Sequence, residues 1–242
     1  MTAKWVGVAV LGAAVAMPAA AWAQQDSRDR RDYYQRDNRG PRETETVNRT
    51  VAFPDKGTLR LNNFSGDVRI SASSGKEVLI KAMRRGTREQ LDHIKLEVET
   101  SGSTVSIDAN VADQAWRDRN RRQQDNEGDV VDTEFDIQVP ASARLDIEVF
   151  SADVDVRGVS GEQRIKTFSG DIIADLTPAG AAPNFDGETF SGDLDTDLPV
   201  PTRSSNSGWN SRGSRSTSVS SSGSSDSTLR FHTFSGNVRI TK

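Results

Sequence analysis

One short phrase recurs five times along the chain: NFSGD at 63–67, VFSAD at 149–153, TFSGD at 167–171 and again at 189–193, and TFSGN at 233–237. A repeated phrase implies a repeated unit, and its spacing measures that unit. Phe150, Phe168 and Phe190 are 18 and 22 residues apart. Phe234 follows Phe190 by 44, which falls to 18 when the 26-residue serine-rich stretch 202–227 is set aside. Phe64 precedes Phe150 by 86, room for further units and for a second polar stretch at 112–130. A period near 20 marks stacked supersecondary units, which bury an apolar core only against their neighbours.

The residues between the phrases alternate. IKLEVE (94–99), TVSIDA (104–109), FDIQVP (135–140) and RLDIEV (144–149) place aliphatics on one face and charges on the other, as half-buried strands do. Leu59 and Leu61 lead into the first phrase and Val68 and Ile70 follow it; Ile165 precedes the third, and Leu229 and Phe231 the last. Only TREQLDH (87–93) predicts a helical turn. The chain is expected to be all-β.

In RIKTFSGDIIA (164–174), Ile165 and Thr167 share a face, and Phe168 follows out of step. LRFHTFSGNVRI (229–240) repeats the break. A period-2 strand cannot point adjacent residues inward, so a bend or bulge is expected here, with phenylalanine capping the core. Gly66, Gly170, Gly192 and Gly236 offer the positive φ of a tight corner. The serines and Asp67, Asp153, Asp171, Asp193 and Asn237 offer turn-type bonds to nearby backbone. Ala152 replaces glycine in the second copy, so that corner is expected to take another shape. With Phe64, Phe150, Phe168, Phe190 and Phe234, these residues read as structural corners. The rival reading is calcium, with Asp171, Asp193 and Asp195 as candidate ligands. Against it, the glycine-dense nonapeptide of calcium solenoids is absent and Asn237 interrupts the acid row.

The beginning of the chain reads as an export signal. Lys4 precedes the apolar run 5–17, followed by Pro18 and AWA at 21–23, the layout of a secretory signal peptide (1–23) cleaved after Ala23. The run is short for a bilayer span, so no stable membrane span is expected after cleavage. Residues 24–46 mix both charges without an apolar period and read as a disordered leader. The domain then runs over 47–242, with loop insertions at 112–130 and 202–227. No cysteine is present, so the fold must rest on its core alone. The expected compartment is the periplasm, the cell surface or the exterior. A formal charge of −4 excludes a dedicated nucleic-acid binder.

Other chemistries find little support. His93 and His232 lie outside metal-ligand spacing, and no GxSxG elbow occurs. Asp153 and Asp155 alternate along a strand toward solvent rather than forming a catalytic pair. Trp116 and Trp209 read as solvated loop aromatics, with stacking on a sugar or partner as the alternative. RDRNRR (117–122) reads as a solvated loop rather than a contact for anionic lipid. No cofactor is expected.

GTLRLNNFSGDVRI (57–70), FDIQVPASARLDIEVFSADVDVRGVSGEQRIKTFSGDI (135–172) and LRFHTFSGNVRI (229–240) resemble the bacterial putative-adhesin family, secreted β-strand-repeat domains of unknown function. The match runs through an early turn at Gly66–Asp67, a Val139–Pro140 step and the later Ser-Gly-Asp corners, over roughly 47–242. The resemblance implies a single-chain right-handed β-solenoid and carries no catalytic residue with it. The function expected is a non-enzymatic, exported cell-envelope scaffold for adhesion, its partner an envelope protein or a polysaccharide. The alternatives are a polysaccharide-active β-helix enzyme and an envelope-stress or signalling accessory protein.

Overall fold

A computed structural model describes residues 41–123, 130–177, 183–198, 217–221 and 227–242. The expected signal peptide, most of the expected leader, Trp209 and most of the serine-rich stretch lie outside the described residues. Among the described residues, no helix is long and apolar enough to cross a membrane.

Among the described residues, the alternation seen in the sequence becomes two eight-stranded sheets. Sheet I holds, in spatial order, β1 (Arg42–Ala52), β4 (Glu77–Thr87), β7 (Asp132–Pro140), β3 (Val68–Ser73), β9 (Val154–Arg157), β11 (Ile172–Asp175), β16 (Val238–Thr241) and β13 (Leu194–Thr196). Sheet II holds β14 (Thr217–Ser221), β12 (Asn184–Ser191), β15 (Thr228–Ser235), β10 (Gln163–Ser169), β8 (Arg144–Ser151), β2 (Thr58–Ser65), β6 (Thr104–Ala112) and β5 (Ile94–Ser101). Inward residues of both sheets form one continuous apolar cluster, including Leu59, Ile147, Ile165 and Phe231 from sheet II and Ile70, Val156, Ile172 and Ile240 from sheet I. Each such side chain contributes roughly 1.5–3 kcal/mol when fully buried.

Every recurring phrase carries the chain from a strand of sheet II to one of sheet I: β2 to β3, β8 to β9, β10 to β11, β12 to β13 and β15 to β16. With β6 and β7 these pairs make six rungs, stacked in the same order and parallel in both sheets. Antiparallel strands flank the stack: β4 then β1 beyond β7, β5 beyond β6, and β14 beyond β12. Both sheets are therefore mixed, and among the described residues neither closes on itself.

A solenoid adds each rung onto the last, and here that rule fails twice. The chain leaves the β2–β3 rung, runs through β4 and β5, and lays β6–β7 on one side of that rung; β8–β9 then falls on the other. Phe64 and Phe150 are thus neighbours despite the 86 residues between them. Later, β15–β16 enters between β10–β11 and β12–β13, so Phe234 sits between Phe168 and Phe190 rather than beyond Phe190. The physical reason lies in burial. In the inserted rung Leu229, Phe231, Val238 and Ile240 are fully buried, whereas β13 is three residues long and half exposed, which suits an edge. The short, half-exposed β13 ends the parallel stack, and the rung with four buried apolar residues lies inside it.

Two other expectations change. β1 begins at Arg42, inside the segment read as a leader. Its residues are mostly exposed, and backbone pairing to β4 rather than apolar burial recruits it, which leaves no apolar period to see. The 112–130 stretch, expected as a loop, contains α2 (Gln114–Gln123), which carries the whole RDRNRR run. Trp116, on α2, is buried against Leu91, Ile94 and Val131, and Arg119 lies 4.3 Å over its ring. The partner element is α1 (Arg88–His93), the helical turn expected at 87–93, closed by a capping box between Thr87 and Gln90. That arrangement satisfies two backbone N–H groups at the helix start.

Candidate interaction surface: the corner column

Along β10, Gln163, Ile165 and Thr167 point inward, and Arg164, Lys166 and Phe168 point outward. Alternation therefore runs unbroken through the phenylalanine. The expected bend before Phe168 is absent, because Thr167 is the inward member of the pair and the turn comes later, at Gly170. The five phenylalanines do not cap the core: Phe64, Phe150, Phe168, Phe234 and Phe190 are each 41–47% exposed. The sequence held the needed signal, since Phe168 shares its parity with Arg164 and Lys166.

The residue before each phenylalanine faces in, and in four of the five copies it bonds across to a neighbouring rung. The Thr167 hydroxyl donates to the Ala152 carbonyl (3.4 Å), Thr233 to Gly170 (3.3 Å) and Thr189 to Gly236 (2.9 Å). Asn63, in the same position of β2, donates from Nδ2 to the carbonyls of Thr133 (2.9 Å), Gly66 (2.9 Å) and Ser65 (3.1 Å). These side chains satisfy carbonyls that would otherwise be stranded at a buried corner. Val149 occupies the position in the second copy and breaks the polar pattern in the sequence.

Glycine is required by the rung below it. Gly170 and Gly236 have φ of +147° and +153°. A Cβ on Gly170 would lie 2.0 Å from the Ala152 carbonyl oxygen, and one on Gly236 would lie 2.1 Å from that of Gly170. Ala152 does not share the positive φ, so the second corner does differ in backbone shape.

The acidic position forms a hydrogen-bonded row. Asp153 Oδ1 accepts the Asp171 N–H (2.8 Å), Asp171 Oδ1 accepts the Asn237 N–H (2.7 Å), and Asn237 Oδ1 accepts the Asp193 N–H (2.9 Å). Asn237 also donates its amide to Asp171 (3.3 Å), so a neutral donor separates two carboxylates that would otherwise repel. Asp67 pairs instead with Arg69 at 3.4 Å. Asp171, Asp193 and Asp195 line one depression with Asn237 and Arg239, and Asp195 pairs with Arg239 at 3.5 Å. Among the described residues, no group of three or more histidine or acidic side chains is placed to hold a metal ion.

Outside the corner the rings stack into a ladder ordered Phe64, Phe150, Phe168, Phe234, Phe190. Successive centroids are 4.6, 4.7, 4.9 and 4.7 Å apart, with interplanar angles of 15°, 1°, 3° and 11°. The spacing is that of neighbouring strands, and stacked pairs contribute about 0.5–1.5 kcal/mol each beyond area burial. Beside the ladder run two rows of outward polar residues. One reads Asn62, Glu148, Lys166, His232, Glu188; the other reads Arg60, Asp146, Arg164, Arg230, Asp186. Within them Arg60 meets Asp146 (3.2 Å), Lys166 meets Glu148 (2.9 Å) and His232 meets Glu188 (3.4 Å). His93, far from this row in the fold, bonds Asp113 at 2.8 Å beside Trp116.

No protein-family model matches the sequence, and no curated protein matches it. Among solved structures, a putative cell adhesion protein from Clostridium sporogenes is similar with a TM-score of 0.51 at 11% identity, over 82% of this chain and 99% of that one. A putative adhesin from Bacteroides fragilis is similar over 81% of this chain and 97% of its own, with a TM-score of 0.30 at 8% identity. A putative adhesin from Parabacteroides merdae covers 82% and 97%, with a TM-score of 0.24 at 6% identity. The first of these likenesses establishes a shared fold: this chain is built as the Clostridium protein is, over nearly all of that protein's length.

Proposed function

We propose that this chain is a non-enzymatic, exported, adhesin-like scaffold of the cell envelope, and that it attaches to its partner through the phenylalanine ladder. In this reading the six rungs are a right-handed coil interrupted twice, and the periplasm or cell surface is the working compartment. The corner residues are structural: threonine, glycine and the acid hold the stack, and phenylalanine is left free for contact. One observation carries the proposal. Five half-exposed aromatic rings in one row expose about 450 Å² of apolar surface, the size of the largest patch on a typical soluble chain, and such patches often mark interaction sites. A polysaccharide-active enzyme would need acids converging on one bond. Here the corner acids accept backbone N–H groups or pair with arginine.

The test is capture from the envelope fraction with the native chain and with Phe168→Ser/Phe234→Ser. Loss of captured material in the variant, with an unchanged β-sheet circular dichroism spectrum, supports the reading. Equal capture by both proteins, or release of reducing sugar from envelope polysaccharide, overturns it.

A further inference from the structure

Ring orientation narrows what the ladder accepts. The rings turn their faces to one another, so solvent meets a row of C–H edges. A sugar docks by laying its apolar face on an aromatic face, and the three inner rings have both faces covered. The flanking rows are more informative still. In spatial order the outer row is Arg60, Asp146, Arg164, Arg230, Asp186, carrying the signs plus, minus, plus, plus, minus. Reversed, it reads minus, plus, plus, minus, plus. A second copy laid on in reverse order sets Arg60 against Asp186 and Asp146 against Arg230 at both ends, and only Arg164 meets itself. In the inner row Glu188 meets Asn62 and Glu148 meets His232, so no like charges face one another there except Lys166, which meets itself. Slipping the copies by one strand toward β15 sets Arg164 on Arg230 and Asp146 on Asp186, so the charges favour one register.

We infer that the outer face of sheet II docks on a second copy of this chain, ladder on ladder, about a twofold axis running along β10. Such an axis keeps the strands of the two copies aligned, the usual arrangement of packed sheets. It also makes the contact isologous, so that each residue pair occurs twice and the assembly closes at two copies. Five strands at about 4.8 Å and six residues at about 3.3 Å give a face of roughly 24 by 20 Å. That buries about 1,000 Å² in total, the lower limit for a specific interface and the range of weak, reversible complexes. The inference rests on the ladder being the contact surface, and it names the ligand: the adhesive partner is another copy.

The experiment is sedimentation of the purified chain from low to several hundred micromolar, with four variants. The native chain should dimerise reversibly. Phe168→Lys, which sets a charge opposite its own copy at the axis, should weaken dimerisation at least ~10-fold. Asp186→Arg and Arg60→Asp should each weaken it about 5-fold, and the double variant should return to within about twofold of native, because the two sites face one another across the axis. Arg60 and Asp186 are exposed, so their variants should melt close to the native chain, whereas Phe168→Lys gives up two ring stacks and should melt lower while remaining folded at the assay temperature. A native chain that remains monomeric, a dimer that survives Phe168→Lys, or charge variants whose effects simply add would each overturn the proposal. Capture of a different envelope partner by a monomeric chain would leave the adhesive reading standing without it.

Discussion

At the corner column the same contacts recur from rung to rung: phenylalanine on phenylalanine, threonine on the next rung's carbonyl, acid on the next rung's N–H. Around α1 and α2 nothing repeats. There Leu91, Ile94, Trp116 and Val131 make a small second cluster, closed by one capping box and one His93–Asp113 bond. The column is held by many similar contacts passed from rung to rung, so a fault at one rung is felt by its neighbours. The helical cluster depends on a few unlike contacts and can loosen by itself. Periodic regions resist small losses and fail on a steric fault; unique clusters fail when one member goes.

The largest effect should come from Gly170→Ala. Its Cβ would press on the Ala152 carbonyl and force alanine into positive φ, and overpacking plus backbone strain together cost about 4 kcal/mol. Gly102→Ala is the control, because Gly102 also has positive φ (+58°) but nothing within 4 Å of its would-be Cβ. It should cost only about 1 kcal/mol. Chemical denaturation reads both, and equal costs would show that φ rather than rung contact sets the requirement.

Trp116→Ala should cost about 3 kcal/mol, at the low end for a buried tryptophan because its cluster is small. Hydrogen exchange should show the loss confined to α1, α2 and their flanks, with β8, β10 and β15 still protected. Uniform loss of protection would mean that the two regions unfold as one.

The smallest effect concerns acid. The Trp116 backbone N–H, and after it the His93 ring, hold the Asp113 carboxyl below the usual carboxylate range. A depressed carboxyl stabilises the fold above its unfolded pKa, and that contribution fades as the pH falls through the lower folded value. Protection factors at the start of α2 should therefore drop below about pH 4 while those of the column do not. If α2 keeps its protection down to pH 2, the Asp113 contacts contribute nothing there.

Much of this was legible in residue order. Alternation in RLDIEV and TVSIDA placed β8 and β6, and TREQLDH placed α1. Shared parity among Arg164, Lys166 and Phe168 already assigned the rings to the outside, although the adjacency of Thr167 and Phe168 invites the opposite reading. Trp116 was misread because its cluster draws on Leu91, Ile94 and Val131, residues in separate polar-flanked segments with no common period. β1 was missed for the same kind of reason: backbone bonds to β4 recruit it, and backbone bonds leave no mark on side-chain pattern.

The amino-acid order alone determined that this is a β chain with repeated glycine corners, since period-2 burial and the positive-φ requirement are local properties. Only the tertiary structure decided which rung lies beside which. Five near-identical corners do not by themselves fix the order, which follows from the apolar residues each rung hides, from neutral Asn237 lying between Asp171 and Asp193, and from connections long enough to return the chain to the middle of the stack. The aromatic ladder is a product of that decision, because rings 86 residues apart in sequence touch only once their strands are neighbours.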